Sequence, residues 1–191
     1  MSETTMPAWE RRYRAPMITQ FDWSPRAPDR IVLVSTETGI RQVHAWDRAS
    51  GMRRQVTDHP VGVFFGAPTF DGEGVIWFED ETGDEAGRWL VQPFNGGETT
   101  PLLEDVPHGW SGGIAQTAGA VAAAINDRDG FHVYVAGDGE RPKRVAGSTE
   151  AMWIGGGELG GSSRGGLSAD GSLLCVEHAE HGDPLHPALR V

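Results

Sequence analysis

The amino-acid sequence predicts an all-β chain, specifically a partial β-propeller with about three complete four-stranded antiparallel blades and an incomplete fourth. Three observations carry that expectation. One strand pattern recurs at steps of 44, 46 and 52 residues, counted through Ile31, Val75, Val121 and Leu173. Each copy keeps one order: a short first strand, a turn, an apolar second strand, a hairpin, a third strand with aromatics, a glycine turn and a polar fourth strand. The 191 residues include 27 Gly and 12 Pro, a balance that favours turns over helices. A period of this size with short strands points to a propeller rather than a helical solenoid.

Element by element, the copies can be overlaid. The turn and second strand read as 24–30 then Ile31 to Ser35, as 69–74 then Val75 to Phe78, as 116–119 then Ala120 to Ile125, and as 168–171 then Ser172 to Glu177. Second strands that are apolar almost throughout are what stacking on both faces demands. Third strands follow at Val43 to Trp46, Trp89 to Phe94 and His132 to Val135. Their turns, Ser50-Gly51, Gly96-Gly97 and Gly137-Asp138-Gly139, use residues that tolerate positive φ. Arg53 to Thr57 and Arg141 to Val145 are charged enough to form protected outer strands. The expected blades are 18–60, 61–107, 108–150 and 162–191, with a glycine-rich linker over 154–166 and an N-terminal segment over 1–17. In that segment Ala8 to Tyr13 is the one modest helical candidate, cut short by Pro16.

A net charge of −11 disfavours phosphate backbones and anionic membranes as partners. The polar stretch Met1 to Pro16 has no apolar signal region, and no run approaches the roughly eighteen apolar residues of a membrane span. The chain is therefore expected to be cytoplasmic. Its single cysteine, Cys175, is expected to be a buried, inert thiol in the fourth copy's second strand.

Several motifs look chemical. Gly161-Ser162-Ser163-Arg164-Gly165 fits G-x-S-x-G, but a nucleophile elbow needs a strand before the serine and a helix after it, and a strand and turn follow instead. Gly155, Gly157 and Gly160 fit G-x-G-x-x-G without the helix that would meet a pyrophosphate. Both motifs read more simply as linker. Cys175, Glu177, His178, Glu180, His181, Asp183 and His186 form the densest set of metal-ligand types. On a strand Cys175 and Glu177 share a face opposite His178, so a solvated hairpin is expected. The acidic run Glu79 to Glu85 lacks the spaced oxygens and closing Glu of a calcium loop. Trp46, Trp77 and Trp89 are expected to pack between blades, whereas Trp23, Trp110 and Trp153 fall near blade entrances, where an aromatic could line a channel. The reading assigns no catalytic, cofactor-binding or metal site residue and no cofactor.

Phe21-Asp22-Trp23-Ser24-Pro25, Leu167-Ser168-Ala169-Asp170-Gly171-Ser172-Leu173-Leu174 and Trp89-Leu90-Val91-Gln92-Pro93-Phe94-Asn95-Gly96-Gly97-Glu98 together resemble the N-terminal propeller of prolyl oligopeptidase-family serine peptidases, in the acylaminoacyl-peptidase-like branch. The S-x-D-G and Gly-Gly-Glu turns are shared with the propeller of the bacterial Tol system. The resemblance covers the chain from about residue 18 onward and specifies the fold better than the family. It implies a propeller that caps a separate C-terminal α/β-hydrolase domain carrying the Ser, Asp and His triad and restricts entry to short peptides. No position of this sequence matches that triad, and the repeat count halts in the third strand of the fourth copy. The expected partners are the hydrolase domain and short peptides, together with self-association through uncovered blade surfaces. Two other readings stand beside this one: a stand-alone propeller-like binding module that completes itself by oligomerising, and a hydrolase using Ser163 with a histidine from 178–186.

Overall fold

The computed structural model describes residues 6–154 and 165–191. A six-residue helix, α1 (Ala8–Tyr13), buries none of its side chains and is closed by an Arg14–Glu10 ion pair of 2.9 Å. Everything else regular among the described residues is β-structure, and all named strand pairs are antiparallel.

The first sheet is a meander of β1 (Ile18–Ser24), β2 (Ala27–Ser35), β3 (Gln42–Asp47) and β4 (Arg53–Gln55), in that order. Two further meanders follow. One comprises β5 (Gly66–Pro68), β6 (Gly74–Asp80), β7 (Ala86–Pro93) and β8 (Thr100–Pro101); the other comprises β9 (Gly109–Gln116), β10 (Ala120–Asp127), β11 (Gly130–Gly137) and β12 (Lys143–Ser148). A last sheet contains β13 (Met152–Trp153), β14 (Val176–His178) and β15 (Ala188–Arg190). No sheet closes on itself among the described residues.

Strand alternation explains the apolar second strands. Val75 and Trp77 of β6 join Val32, Val34, Val43 and Leu90 in the core between the first two meanders, while Ile76, between them in sequence, joins Trp89, Ile114 and Ile125 in the next. Ala123 and Ile125 of β10 face that second core. Ala122 and Ala124 face a third, with Val133, Met152 and Val176. Each such strand is sandwiched, so neither face can be polar.

The structure departs from the sequence-based expectation in four places. The second and third repeats do not form separate sheets: β7 pairs with β9 through Ala86↔Trp110 and Gly87↔Gly109, giving one eight-stranded sheet. Both glycines are needed there, since a Cβ at 87 would overlap the Glu79 carbonyl and one at 109 the Asn126 carbonyl. The strands that flank the glycine-rich stretch in sequence, β13 and β14, pair with each other through Met152↔His178 and Trp153↔Glu177.

In the fourth repeat, the second strand is shortened to Val176–His178, preceded by a single Leu167↔Leu174 bridge, because residues 168–173 are taken up by a tight turn. Cys175 is consequently partly exposed rather than buried. The outer strand β12 starts two residues later than expected, at Lys143, beyond Pro142, which has no N–H to give a ladder.

Candidate functional site

Antiparallel meanders send alternate connections to opposite ends of the sheet stack, and the two ends differ in chemistry. One end, the turn end, carries the first-to-second and third-to-fourth strand turns. The other, the loop end, carries the second-to-third hairpins and the links from one meander to the next.

At the turn end, the polar groups are consumed by structure. In Thr69 to Gly74, the Thr69 hydroxyl donates to Asp71 Oδ1 at 2.5 Å and accepts from the Gly74 N–H, and Asp71 accepts from the Glu73 N–H. Ser168 to Leu173 repeats this network: Ser168 Oγ donates to Asp170 at 2.6 Å, the Leu173 N–H donates to Ser168 Oγ, and the Ser172 N–H donates to Asp170. Bonds from the Ser168 hydroxyl and from Ser172 pull the Asp170 carboxyl down to about 2. Adjacent repeats are tied together here. Ser24 Oγ donates to the Phe70 carbonyl, the Phe70 N–H donates to Gln116 Oε1, and Arg54 donates to the carbonyls of Phe94 and Pro93. Arg30 adds a bond to the Gly72 carbonyl and a 2.7 Å pair with Glu73.

The loop end also carries side-chain bonds, and several of its apolar and acidic side chains are exposed. Its best-made element is a buried network around Gln42. Thr57 Oγ1 donates to Gln42 Oε1 at 2.7 Å, Gln42 Nε2 donates to the His59 carbonyl at 2.8 Å, and the Val43 N–H donates to Thr57 Oγ1. This fastens the link between β4 and β5. Nearby, His44 Nδ1 lies 3.4 Å from Glu37, which also pairs with Arg53 at 2.9 Å. Burial, then the Arg53 charge, lower the His44 pKa against an opposing pull from Glu37, so the imidazole is neutral at pH 7.

Gln42, Arg88 and His132 occupy matching positions at or near the starts of their third strands, opposite Ser35, Glu79 and Ile125. Gln42 anchors a link and His132 Nε2 meets Asp127 at 3.2 Å, while Arg88 reaches Glu81 at 3.6 Å and Glu79 at 3.9 Å. Arg88 lies between two hollows. A cleft of about 420 Å³ toward the first meander is lined by His59, Trp77, Glu79 and Leu90, and a smaller cavity of about 130 Å³ toward β10 is lined by Trp89, Leu103, Val106 and Ile125. Exposed apolar side chains at this end are Ile40, Val61, Phe64 and Leu185 on hairpins and links and Trp110 at the start of β9, whereas Met52 and Leu173 are exposed on the opposite turns. Around them lie the acidic hairpin 79–85, Glu104, Asp105, Asp127 and Asp129.

The residues singled out from sequence do not assemble into a reaction centre. Ser163 and Gly155, Gly157 and Gly160 lie outside the described residues. In the acidic hairpin, burial pushes the Asp80 carboxyl up. The N–H groups of Glu85, Gly83 and Thr82 outweigh that effect and hold it below the usual carboxylate range, so it serves its own loop. The 175–186 set disperses: Glu180 pairs with Arg190, Asp183 with His186 at 2.8 Å, and His178 is buried. No group of three potential metal ligands converges among the described residues.

Trp77 and Trp89 pack between sheets. Trp110 is exposed with its Nε1 donating to the Asp84 carbonyl, and exposed Trp23 stacks on Phe21 with ring centres 6.0 Å apart.

One constellation escaped the sequence reading: Ser148 Oγ lies 2.9 Å from His178 Nε2, and Glu180 lies 4.0 Å from His178 Nδ1. The serine–base distance suits nucleophile activation. The third contact does not, because Glu180 is beyond hydrogen-bond reach and is held by Arg190. Ser148 also accepts the Glu150 N–H, so the pair closes a turn and ties β12 to β14. Thirty residues of separation left no local signal for it.

No family model matches the sequence, and no curated protein matches it. Solved structures do match. The chain is similar to the β-propeller domain of the Trilobed protease from Pyrococcus furiosus, with a TM-score of 0.59 and 10% identity over 90% of this chain and 54% of that one. It is similar to the TolB-like protein of Agrobacterium tumefaciens, with a TM-score of 0.58 and 14% identity over 82% of this chain and 57% of that one. For the tricorn protease the TM-score is 0.57 at 8% identity, over 87% of this chain and 16% of that one. At such identities the likeness is one of fold: an all-β chain of antiparallel sheets like those of propeller domains. The chain spans little more than half the length of the first two.

Proposed function

We propose that this chain is a non-catalytic propeller portion of a cytoplasmic serine peptidase of the prolyl oligopeptidase family, in its acylaminoacyl-peptidase-like branch, where it gates the access of short peptides to a downstream α/β-hydrolase domain. The supporting observation is the fold match over most of the chain to the propeller of one protease, with a second protease also similar. The loop end is consistent with such a role, since clefts lined by Trp77, His59, Glu79 and Arg88 suit extended peptides better than they suit nucleic acid. The test is the coding sequence beyond codon 191. A frame continuing through more repeats to a G-x-S-x-G followed by Asp and His supports the reading, whereas a stop codon with no related sequence downstream overturns it.

A second reading, a binding module that completes itself by self-association, is favoured by one observation. Phe21 and Trp23 lie stacked and exposed on β1, the edge strand of the first sheet among the described residues. Size-exclusion chromatography decides it, because a monodisperse monomer at high micromolar concentration rules this reading out.

A further inference from the structure

The cavity of about 130 Å³ between β7 and β10 has roughly ten times the 10–15 Å³ a water molecule needs, and Leu103, Val106, Ala123 and Ile125 give it an apolar wall. Two hydrogen-bond donors in its lining have no acceptor among the described residues. Trp89 is only 6% exposed and lines the cavity, and its indole Nε1–H is buried and unpaired. The Nε–H of Arg88, also in the lining, is buried and unpaired too, although the far end of its guanidinium reaches Glu79 and Glu81. Buried donors left unpaired in native structures are uncommon and call for a partner.

We propose that this cavity binds a neutral carbonyl group carried on a small apolar body, that is, an amide, whose oxygen accepts from Trp89 Nε1–H and Arg88 Nε–H while the alkyl part lies against Leu103, Val106 and Ile125. Electrostatics selects the neutral acceptor. Glu79 and Glu81 already face the positive charge of Arg88, and Asp105, in the lining, is paired with Arg141 at 3.8 Å, so both arginines already have carboxylate partners and a carboxylate ligand would bring an unbalanced charge. A cation would leave both donors unsatisfied. Water could meet the donors but not the apolar walls, so a carbonyl on an alkyl group displaces it to advantage. Two sources share this chemistry: a small free amide, and the backbone carbonyl of an aliphatic residue in a peptide. The site stands whether or not the chain belongs to a peptidase.

The test follows the indole N–H resonances of the 191-residue chain by NMR, with Trp89 assigned through Trp89→Phe. Isobutyramide is expected to shift the Trp89 resonance saturably, and isobutyrate and isobutylamine to bind at least about tenfold more weakly. Arg88→Lys, which keeps the charge and removes the Nε–H, is expected to weaken isobutyramide about tenfold while leaving the other indole resonances in place. A Gly-Val-Gly amide that binds tighter than isobutyramide marks a peptide as the source, and the reverse marks a free amide. No saturable shift of Trp89, tighter binding of isobutyrate, or an unchanged affinity in Arg88→Lys would each overturn the proposal, leaving a cavity filled by water.

Discussion

The turn end and the loop end of this molecule are made by the same strands and solve opposite problems. At the turn end, hydroxyl, carboxylate and glycine recur at matching positions, and the Thr69–Asp71–Gly72 and Ser168–Asp170–Gly171 turns carry the same bonds a hundred or so residues apart. At the loop end the corresponding positions diverge: Gln42, Arg88 and His132 occupy one site and do three different things. The side-chain pattern recurs in the tight turns, and chemistry varies where the connections are longer.

The strongest way to break this comparison is to strain one glycine at each end. Gly72 (φ +77°) has Ala27 packed against the site where a Cβ would project, whereas Gly39 (φ +103°), in the β2–β3 hairpin, faces open space. Gly72→Ala is expected to cost about 3 kcal/mol, combining backbone strain with overlap at a packed seam. Gly39→Ala should cost only the strain, about 1 kcal/mol. Urea titrations of the two variants measure the difference; equal losses would mean the turn end is no more tightly built than the loop end.

Next in size is Gln42→Leu, which strands the Thr57 hydroxyl and the His59 N–H and carbonyl. A loss of about 2 kcal/mol is expected. Hydrogen exchange should show it first in residues 56–65, with the 69–74 turn unaffected.

Acid should separate the ends in order. His44 binds its proton less readily in the folded chain than the ordinary value of 6.5, so below that value the unfolded chain holds more protons and stability falls with pH. The His44 contribution is complete above pH 6.5 and is lost as pH drops through the lowered folded value. Asp170 works lower, because its folded carboxyl titrates near 2 against an ordinary 3.8; its contribution is whole above 3.8 and disappears as pH falls through about 2. Exchange protection near β3 should therefore weaken between neutral and mildly acidic pH, while the 168–173 turn stays protected until below 3.8. A Ser168 turn that opens first would reverse the assignment.

The smallest effect is expected for Phe64→Ser. This side chain is 65% exposed, with the Arg41 guanidinium 4.7 Å from its ring centre. Thermal unfolding should move by less than about 0.5 kcal/mol. A larger loss would show that the exposed aromatics of the loop end belong to the core after all.

Much of this architecture was legible because it rests on short-range rules. Alternation marked β2, β6 and β10, and Asp-Gly and Gly-Gly turns marked their ends. The fourth repeat was the hardest. Leu173, Leu174 and Cys175 look like a buried strand by composition, yet the Ser168 and Asp170 side chains hold that segment as a turn. The candidate site was far less visible. Ser163 and the 175–186 cluster advertised themselves by spacing, while Gln42 with Thr57, Ser148 with His178 and Arg88 with Trp89 gave no signal. The first two are joined across long loops, and the third is adjacent in sequence but matters only because two cavities open beside it.

The sequence by itself determined the all-β class, the period of the repeat, the sandwiching of the second strands and the chemistry of the turns, since each depends on residues within a few positions of one another. The tertiary structure alone decided that two repeats share one sheet, that the strands flanking the glycine-rich stretch pair with each other, and that two residues with an unpaired N–H, Trp89 and Arg88, line the same hollow. Such features come from how closely separate strands approach, and that distance is set by packing across the whole stack rather than by any local pattern.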